Sequence, residues 1–246
     1  MEKSKNWANN MLFGAFVAFG FVIASLIIAD AFRTVKTSNQ YVTVKGYAEK
    51  EIMSDLAFWS CEFSVFDKDM VSSYNLLHEH QAKIVEFFEK YGFSKKDLAI
   101  SSISSQRVYK LNEKGWQSNQ IDGYRLSQSI SIEDKDIKKI HTMSLASSEL
   151  LKDGIEIESH SPEYYYTKIN DLKIEMLSEA SKDAKIRAEA LAKNGGGEVG
   201  SIKAASQGVF QITPKNSTDV SDWGWNDVNS MEKVIKAVVT VDYFIK

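Results

Sequence analysis

Cysteine is almost absent from this chain of 246 residues, in which Cys61 is the single example. One cysteine cannot form an intramolecular disulfide, so the sequence excludes a disulfide framework. A chain of this length can bury enough apolar surface to be stable without one. Cys61 alternates with Trp59, Phe63 and Val65, which is typical of the inner face of a strand. We therefore predict a buried structural thiol rather than a reactive nucleophile.

The sequence also lacks a large excess of charge of either sign. Its 30 lysine and arginine residues and 33 aspartate and glutamate residues give a formal net charge of −3. The two signs are interspersed along the chain, whereas nucleic-acid-binding proteins concentrate basic residues in a patch or stripe. We therefore expect no nucleic-acid partner.

Motifs for catalysis, phosphate binding and metal coordination are missing as well. His78 and His80 would be about 200° apart on a helix, so the pair cannot share a metal ion. The glycines 195–197 end a predicted helix and precede Glu198, whereas a phosphate-binding loop opens a helix with Gly-Lys-Ser/Thr. No serine lies in a G-x-S-x-G motif. The sequence thus predicts no catalytic residues, no cofactor and no metal, and we expect no enzyme activity.

The longest apolar segment runs from Met11 to Ala29 and contains no charged residue. As a helix it would be roughly 29 Å long, close to the ~30 Å hydrocarbon core of a bilayer. Apolar regions of signal peptides are shorter, about 7–15 residues, which favours a retained signal anchor. The small-x-small sequence Ala29-Asp30-Ala31 is typical of a cleavage site, so a cleaved signal peptide stays the alternative. A buried core helix is disfavoured, because phenylalanines are distributed around the segment and leave no polar face.

The charges that flank this segment are nearly balanced, with Lys3 and Lys5 before it and Arg33 and Lys36 after it. The short N-terminal tail favours a cytoplasmic N-terminus and an exported domain. In a bacterium, the domain would lie in the periplasm on an inner-membrane anchor, or be free in the periplasm or secreted after cleavage. We therefore predict four regions, which are a cytoplasmic tail, a transmembrane signal anchor, a linker and a folded domain at 1–10, 11–29, 30–40 and 41–246.

The pattern of apolar residues predicts the elements of the folded domain. Strands are expected at 41–48, 56–66, 98–111, 124–133, 155–159, 199–206 and 234–244. Helices are expected at 70–91, 136–151 and 168–194, the last with the clearest apolar face. The order β-β-α-β-β-α-β-α-β-β predicts an α+β fold, with antiparallel sheets and helices packed on one face. One N-terminal transmembrane helix precedes it.

Four stretches follow a pattern that is found in known proteins: YVTVKGYAEKEIMSDLAFWSCEFSV from Tyr41, GYRLSQSISI from Gly123, AKIRAEALAKNGGGEVGSI from Ala184 and KAVVTVDYFI from Lys236. In this order they resemble the SIMPL-domain family of bacterial envelope proteins. The chain departs from the family pattern at Met53-Ser54-Asp55, where Pro-Asp is usual, in the three glycines and in a tryptophan-rich loop. The resemblance implies an exported α+β protein that tends to form oligomers and is loosely associated with envelope stress. It implies no established enzyme activity and no active-site residues.

Two aromatic clusters are the remaining candidates for function. Tyr164, Tyr165 and Tyr166 follow a proline, while Trp223 and Trp225 lie in a polar loop. Local packing can account for part of each cluster, and a subunit interface, a ligand rim or contact with the membrane surface for the rest. The first hypothesis is a membrane-anchored, non-enzymatic homo-oligomer with an unidentified envelope partner. The alternative is a monomeric binding module for a small molecule or peptide; an envelope hydrolase would need a nucleophile and base within reach.

Overall fold

The computed structural model describes residues 2–37, 40–218 and 221–246. Residues 38 and 39 of the predicted linker lie outside the described residues. The chain divides into two compact units, and each takes several segments of the sequence. Unit 1 comprises residues 1–48, 175–209 and 237–246, and unit 2 comprises residues 49–174 and 210–236.

The N-terminal helix α1 runs from Glu2 to Thr37 and therefore extends beyond the apolar run at both ends. Its segment Phe13–Phe32 has a mean hydropathy of 2.3, and none of that segment is buried inside the protein. The helix is long and apolar enough to cross a membrane, and its position near the N-terminus is compatible with a signal anchor or a signal peptide.

Unit 1 packs a helix against β-strands. The strands that contribute to it are β1 (Tyr41–Met53), β8 (Val199–Gln207) and β11 (Glu232–Ile245), and the helix is α4 (Ile169–Asn194). The unit boundary falls within β1, α4 and β11. β8 pairs antiparallel with β11, from Val239 opposite Gln207 to Ile245 opposite Val199. The buried face of α4 is lined by Ala180, Ala184 and Ala188, small side chains that allow the helix to approach the strands closely.

Gly46 on β1 marks the closest part of this approach. A Cβ atom at Gly46 would lie 2.0 Å from the carbonyl oxygen of Ala180 and 2.7 Å from the Cβ of Ala184. Only glycine fits between this strand and the helix, because any side chain would overlap the helix backbone. The backbone N–H of the next residue, Tyr47, donates to the Asp183 carboxylate at 2.8 Å.

Unit 2 is built on a larger antiparallel sheet. Its strands are β2 (Leu56–Asp67), β3 (Leu98–Ile100), β4 (Ser104–Leu111), β5 (Gln117–Asp134), β6 (Glu156–Ser159) and β7 (Glu163–Tyr165). β2 pairs antiparallel with the second part of β5, from Ala57 opposite Asp134 to Asp67 opposite Tyr124. A smaller group within the same unit contains β9 (Gln211–Pro214), β10 (Trp225–Asn226) and the first residues of β11.

Two helices cover one face of the β2–β5 sheet, α2 (Met70–Lys90) and α3 (Ile137–Ala146). Each begins at an aspartate that accepts a hydrogen bond from the first turn: Asp69 from the Ser72 N–H at 2.9 Å and Asp136 from the Lys139 N–H at 3.0 Å. The core between helices and sheet holds the alternating side chains of β2. Trp59 and Cys61 are fully buried there, which confirms the predicted inward face of this strand.

The structure confirms the α+β class and differs from the predicted elements in detail. β1 continues to Met53 through a segment predicted as a turn, because Ile52 keeps the inward alternation beyond three charged residues. The predicted strand 98–111 is interrupted after Ile100, where the Ser101 hydroxyl accepts the Ser129 N–H. The strands β7, β9 and β10 lie where loops were predicted.

A β-hairpin extends from the large sheet of unit 2, and we call residues 108–123 the arm. β5 has no β2 partner before Tyr124, so within the described structure the arm consists only of β4 paired with β5. Its turn is well defined, because the Asn112 side-chain oxygen accepts the N–H groups of Lys114 and Trp116, each at 3.0 Å. Gly123 ends the arm beside the Phe66 ring, where a Cβ atom would approach to 2.7 Å.

Candidate functional site

The three consecutive tyrosines belong to an edge of the sheet of unit 2, not to an irregular loop. Residues Glu163–Tyr165 form β7, which pairs antiparallel with the start of β2. Alternation along β7 buries Tyr164 and exposes Tyr165. The Tyr164 hydroxyl is 2.9 Å from His141 Nδ1, and the Tyr165 hydroxyl donates to the Glu163 carboxylate. Tyr166 is half-buried just after the strand.

The two tryptophans lie in and next to a turn that the buried Gln211 side chain holds. The Gln211 side-chain amide forms hydrogen bonds with both backbone groups of Ser221. Its nitrogen donates to the Ser221 carbonyl oxygen at 2.6 Å, and its oxygen accepts from the Ser221 N–H at 3.3 Å. The turn that follows exposes 94% of the Trp223 side chain. Trp225 lies on β10 opposite Gln211 and is 47% exposed.

A cleft of about 130 Å³ lies within unit 2 and is lined by Tyr164–Tyr166, Ile169, Ile212, Asn226 and Lys233. We call it the tyrosine cleft. The structure thus brings all three predicted tyrosines to one site. Trp223 and Trp225 do not line the cleft, although Asn226, the neighbour of Trp225, does.

Lys233 is the functional candidate that the sequence analysis missed. Lys233 is only 3% exposed, and its ammonium donates hydrogen bonds to the backbone carbonyl oxygens of Tyr164 and Asp227. A signal for this burial is present in the sequence: Lys233 is in register with Ile235 and Ala237, which are buried residues of the same strand. A lysine in phase with inward-facing residues of a strand is unusual.

The electrostatics of the tyrosine cleft follow from burial. Desolvation lowers the pKa of Lys233 below its ordinary value, and the charge of Asp227 opposes this shift. The Asp227 carboxylate itself accepts the N–H groups of Asn229 and Ser230, at 3.0 and 3.2 Å. Burial also raises the pKa of Tyr164 above its ordinary value, so this hydroxyl stays protonated at neutral pH.

The structure also shows the surroundings of Cys61, His78 and His80, the other residues considered in the sequence analysis. Burial raises the pKa of the Cys61 thiol to about 12, which keeps it protonated and unreactive. His80 is buried on the inner side of α2, whereas His78 is exposed and packs edge-on against Tyr74. Across the described ranges 2–37, 40–218 and 221–246, no three histidine, cysteine or acidic side chains are grouped to hold a metal ion.

An α+β domain that follows an apolar N-terminal helix is thus the class of protein that the fold defines. The family model of SIMPL, a protein of unknown function (DUF541), matches residues 42–243. The chain belongs to the SIMPL family. No curated protein matches the sequence significantly. The family is not a known enzyme family, and the assignment names neither a substrate nor a partner.

Proposed function

We propose that this chain is an exported, membrane-anchored SIMPL protein that acts by assembling with copies of itself rather than by catalysis. Helix α1 supports the anchor, because its apolar segment Phe13–Phe32 is entirely exposed in the single chain. The proposed order is a cytoplasmic tail, the anchor at 11–29, a linker and a periplasmic domain from residue 41. The envelope partner of the assembly is unidentified.

The arm is the observation that carries self-assembly. Leu111 is 68% exposed and Trp116 71% exposed at its tip, with Ile121 also exposed on β5. A two-stranded hairpin is marginally stable in water, and large exposed apolar groups are typical of interaction surfaces. Within the described part of the chain, both edges of the arm also carry backbone groups with no strand partner, and such groups can pair with another strand. A second copy of the arm offers the same edges and the same apolar side chains, so it is a matching partner.

The test measures mass in solution and the integrity of the chain together. We would purify the full-length protein in mild detergent and determine its assembly mass by light scattering and its chain mass by mass spectrometry. We expect an oligomer of chains that retain the segment from Met11 to Ala29. The variants Leu111→Ser and Trp116→Ser should lower the assembly mass, because they remove apolar contact at the arm. Trp223→Ser is the matched control, since this tryptophan is exposed but lies outside the arm.

Three outcomes would each contradict a part of this proposal. A protein that stays monomeric in detergent up to millimolar concentration would remove the assembly function, and an oligomer that only Trp223→Ser dissociates would move the interface to the tryptophan turn. A chain cut after Ala31 would show that the apolar segment is a signal peptide and that the domain is free. In that case, the anchor is wrong even if assembly is right.

The tyrosine cleft favours a second candidate function, a binding module for a small molecule. Tyr164, Tyr165 and Tyr166 would line the binding site, with Trp223 and Trp225 as an outer rim. The observation that favours it is the arrangement of aromatic rings, one amide and one buried cation around a single cleft. Protection of Tyr166 from hydrogen exchange in the monomer upon ligand addition would support it, whereas burial of these residues only in an oligomer would favour assembly.

A further inference from the structure

The ammonium of Lys233 is buried, and it forms no direct ion pair with a carboxylate among the described residues. Its two hydrogen bonds use backbone carbonyl oxygens, and no acidic side chain within the described residues lies within 4.0 Å of its Nζ. The nearby Asp227 carboxylate is occupied by two backbone N–H groups. The exposed Lys215 of the same unit differs, since its ammonium lies 3.0 Å from the Glu51 carboxylate and 3.3 Å from the Glu232 carboxylate.

Such an arrangement needs an anion to complete it. Burying an ammonium costs several kcal/mol unless an opposite charge and hydrogen bonds compensate. The two carbonyl oxygens take two of its three N–H bonds, and the third has no acceptor in the part of the chain that the structure describes. Because Lys233 lines the tyrosine cleft, a ligand in the cleft can supply the missing acceptor.

The other residues that line the tyrosine cleft indicate which kind of anion fits it. Lys233 is the one cation among the described lining residues, so it can neutralise one negative charge but not two. Ile169 and Ile212 offer aliphatic contacts that a chloride ion would not use. Asn226 supplies an amide that can donate to a second oxygen atom of the same group. A singly charged group with two oxygens and a short apolar body fits these contacts.

We propose that the tyrosine cleft binds a small monocarboxylate, with the Lys233 ammonium as its counter-ion and the isoleucines against its apolar body. The volume of about 130 Å³ limits the ligand to a short chain, since one water already needs roughly 10–15 Å³ on the same measure. This inference rests on the second candidate function, that the cleft is a ligand site. It holds equally in a monomer and in an oligomer.

The experiment uses propionate as the probe and the full-length protein in mild detergent. Calorimetric titration would compare sodium propionate with propionamide, its neutral analogue, and with phosphate at matched ionic strength. We expect propionate to bind at least tenfold more tightly than propionamide or phosphate. Lys233→Met should weaken propionate binding at least tenfold, because it keeps the length of the side chain and removes the charge. Lys215→Met is the control variant, since it removes a cation of the same unit outside the cleft.

A second readout covers the case in which Lys233→Met does not fold, which far-UV circular dichroism would show. Wild-type protein with ¹³C-labelled lysine should show a shift of the Lys233 Cε resonance on propionate addition and none on propionamide addition. Asn226→Ala should weaken propionate binding. It should not unfold the protein, because Asn226 lies on β10, an edge strand of only two residues.

Each other outcome overturns a different statement. Equal binding of propionate and propionamide, or tighter binding of phosphate, would overturn the carboxylate assignment and leave the cleft as a ligand site. No binding of any probe, with an unmoved Lys233 resonance, would overturn both the carboxylate site and the second candidate function. Propionate binding that Lys233→Met leaves unchanged would place the site elsewhere.

Discussion

Replacing Gly46 by alanine tests how closely helix α4 approaches strand β1. The added methyl carbon would start 2.0 Å from the Ala180 carbonyl oxygen and 2.7 Å from the Ala184 methyl carbon. Ordinary van der Waals contact begins near 3.4 Å, so strand and helix must separate by about 1.4 Å to admit the methyl group. Neither obstacle is the end of a flexible side chain. The separation must therefore move backbone, and it loosens the buried Ala180, Ala184 and Ala188 contacts.

The expected cost follows from two opposing terms. Overpacking of a core typically costs about 1–3 kcal/mol, and a clash with backbone belongs at the upper end of that range. Replacing glycine also restricts the unfolded chain, which returns about 0.4–1 kcal/mol. We expect Gly46→Ala to lower the free energy of unfolding by about 2 kcal/mol. For a domain of about 200 residues this corresponds to a fall in Tm of roughly 4–8 °C.

Two measurements on the full-length protein would check this value. Thermal unfolding followed by far-UV circular dichroism gives the change in Tm, and hydrogen exchange of peptides from residues 41–48 reports the strand itself. The control is Gly195→Ala in the same unit, where the added carbon would meet its nearest atoms at 3.4 and 3.5 Å. We expect the Tm of the control to stay within about 2 °C of wild type. A Gly46→Ala protein with wild-type Tm and wild-type exchange would refute the close approach.

Three further predictions concern unit 2. Cys61 should not react with a water-soluble disulfide reagent in the native protein, and it should react after denaturation in urea. Rapid labelling of the native protein would show that the thiol is accessible and would contradict its burial. Burial lowers the pKa of His80 below its ordinary value of 6.5, so the unfolded state binds more protons below that pH and stability falls on acidification. His80→Leu should reduce the loss of Tm between pH 7 and pH 5, whereas His78→Leu should not. If both variants change this loss equally, the burial of His80 is not its cause. Gly123→Ala should lower the Tm, because an added Cβ atom would lie 2.5 Å from the Asp67 carbonyl oxygen and 2.7 Å from the Phe66 ring, and a wild-type Tm would contradict this close approach.

Long, regular elements of this chain could be predicted from the sequence because their burial is periodic. The alternation from Trp59 to Val65 and the alanine face of α4 both have the period of their element, and both are buried as expected. Short strands have no such signal. β10 is two residues long and β7 is three, so neither shows a period, and their tertiary pairing with β9 and β2 decides their conformation.

The candidate site was predictable only in part for a related reason. The tyrosines stand out in composition, but their grouping depends on β7, which the sequence does not show. Lys233 was missed because a charged residue near the start of a predicted strand normally points to solvent. The burial of Lys233 follows only from two features together, its alternation with the buried Ile235 and the pairing of Lys233 with Pro214 on β9.

The short connection between α1 and β1 has a consequence for any weak interface on the domain. Thr37 ends the helix and Tyr41 begins the strand, so an extended chain could separate them by at most about 14 Å. With α1 retained in a bilayer, every copy is confined to a thin layer and collides with its neighbours in two dimensions. Confinement of this kind raises the local concentration of the domain, so a contact too weak to hold free domains together can suffice for assembly. A domain released from its helix would lose that advantage and be monomeric at concentrations where the anchored protein is assembled.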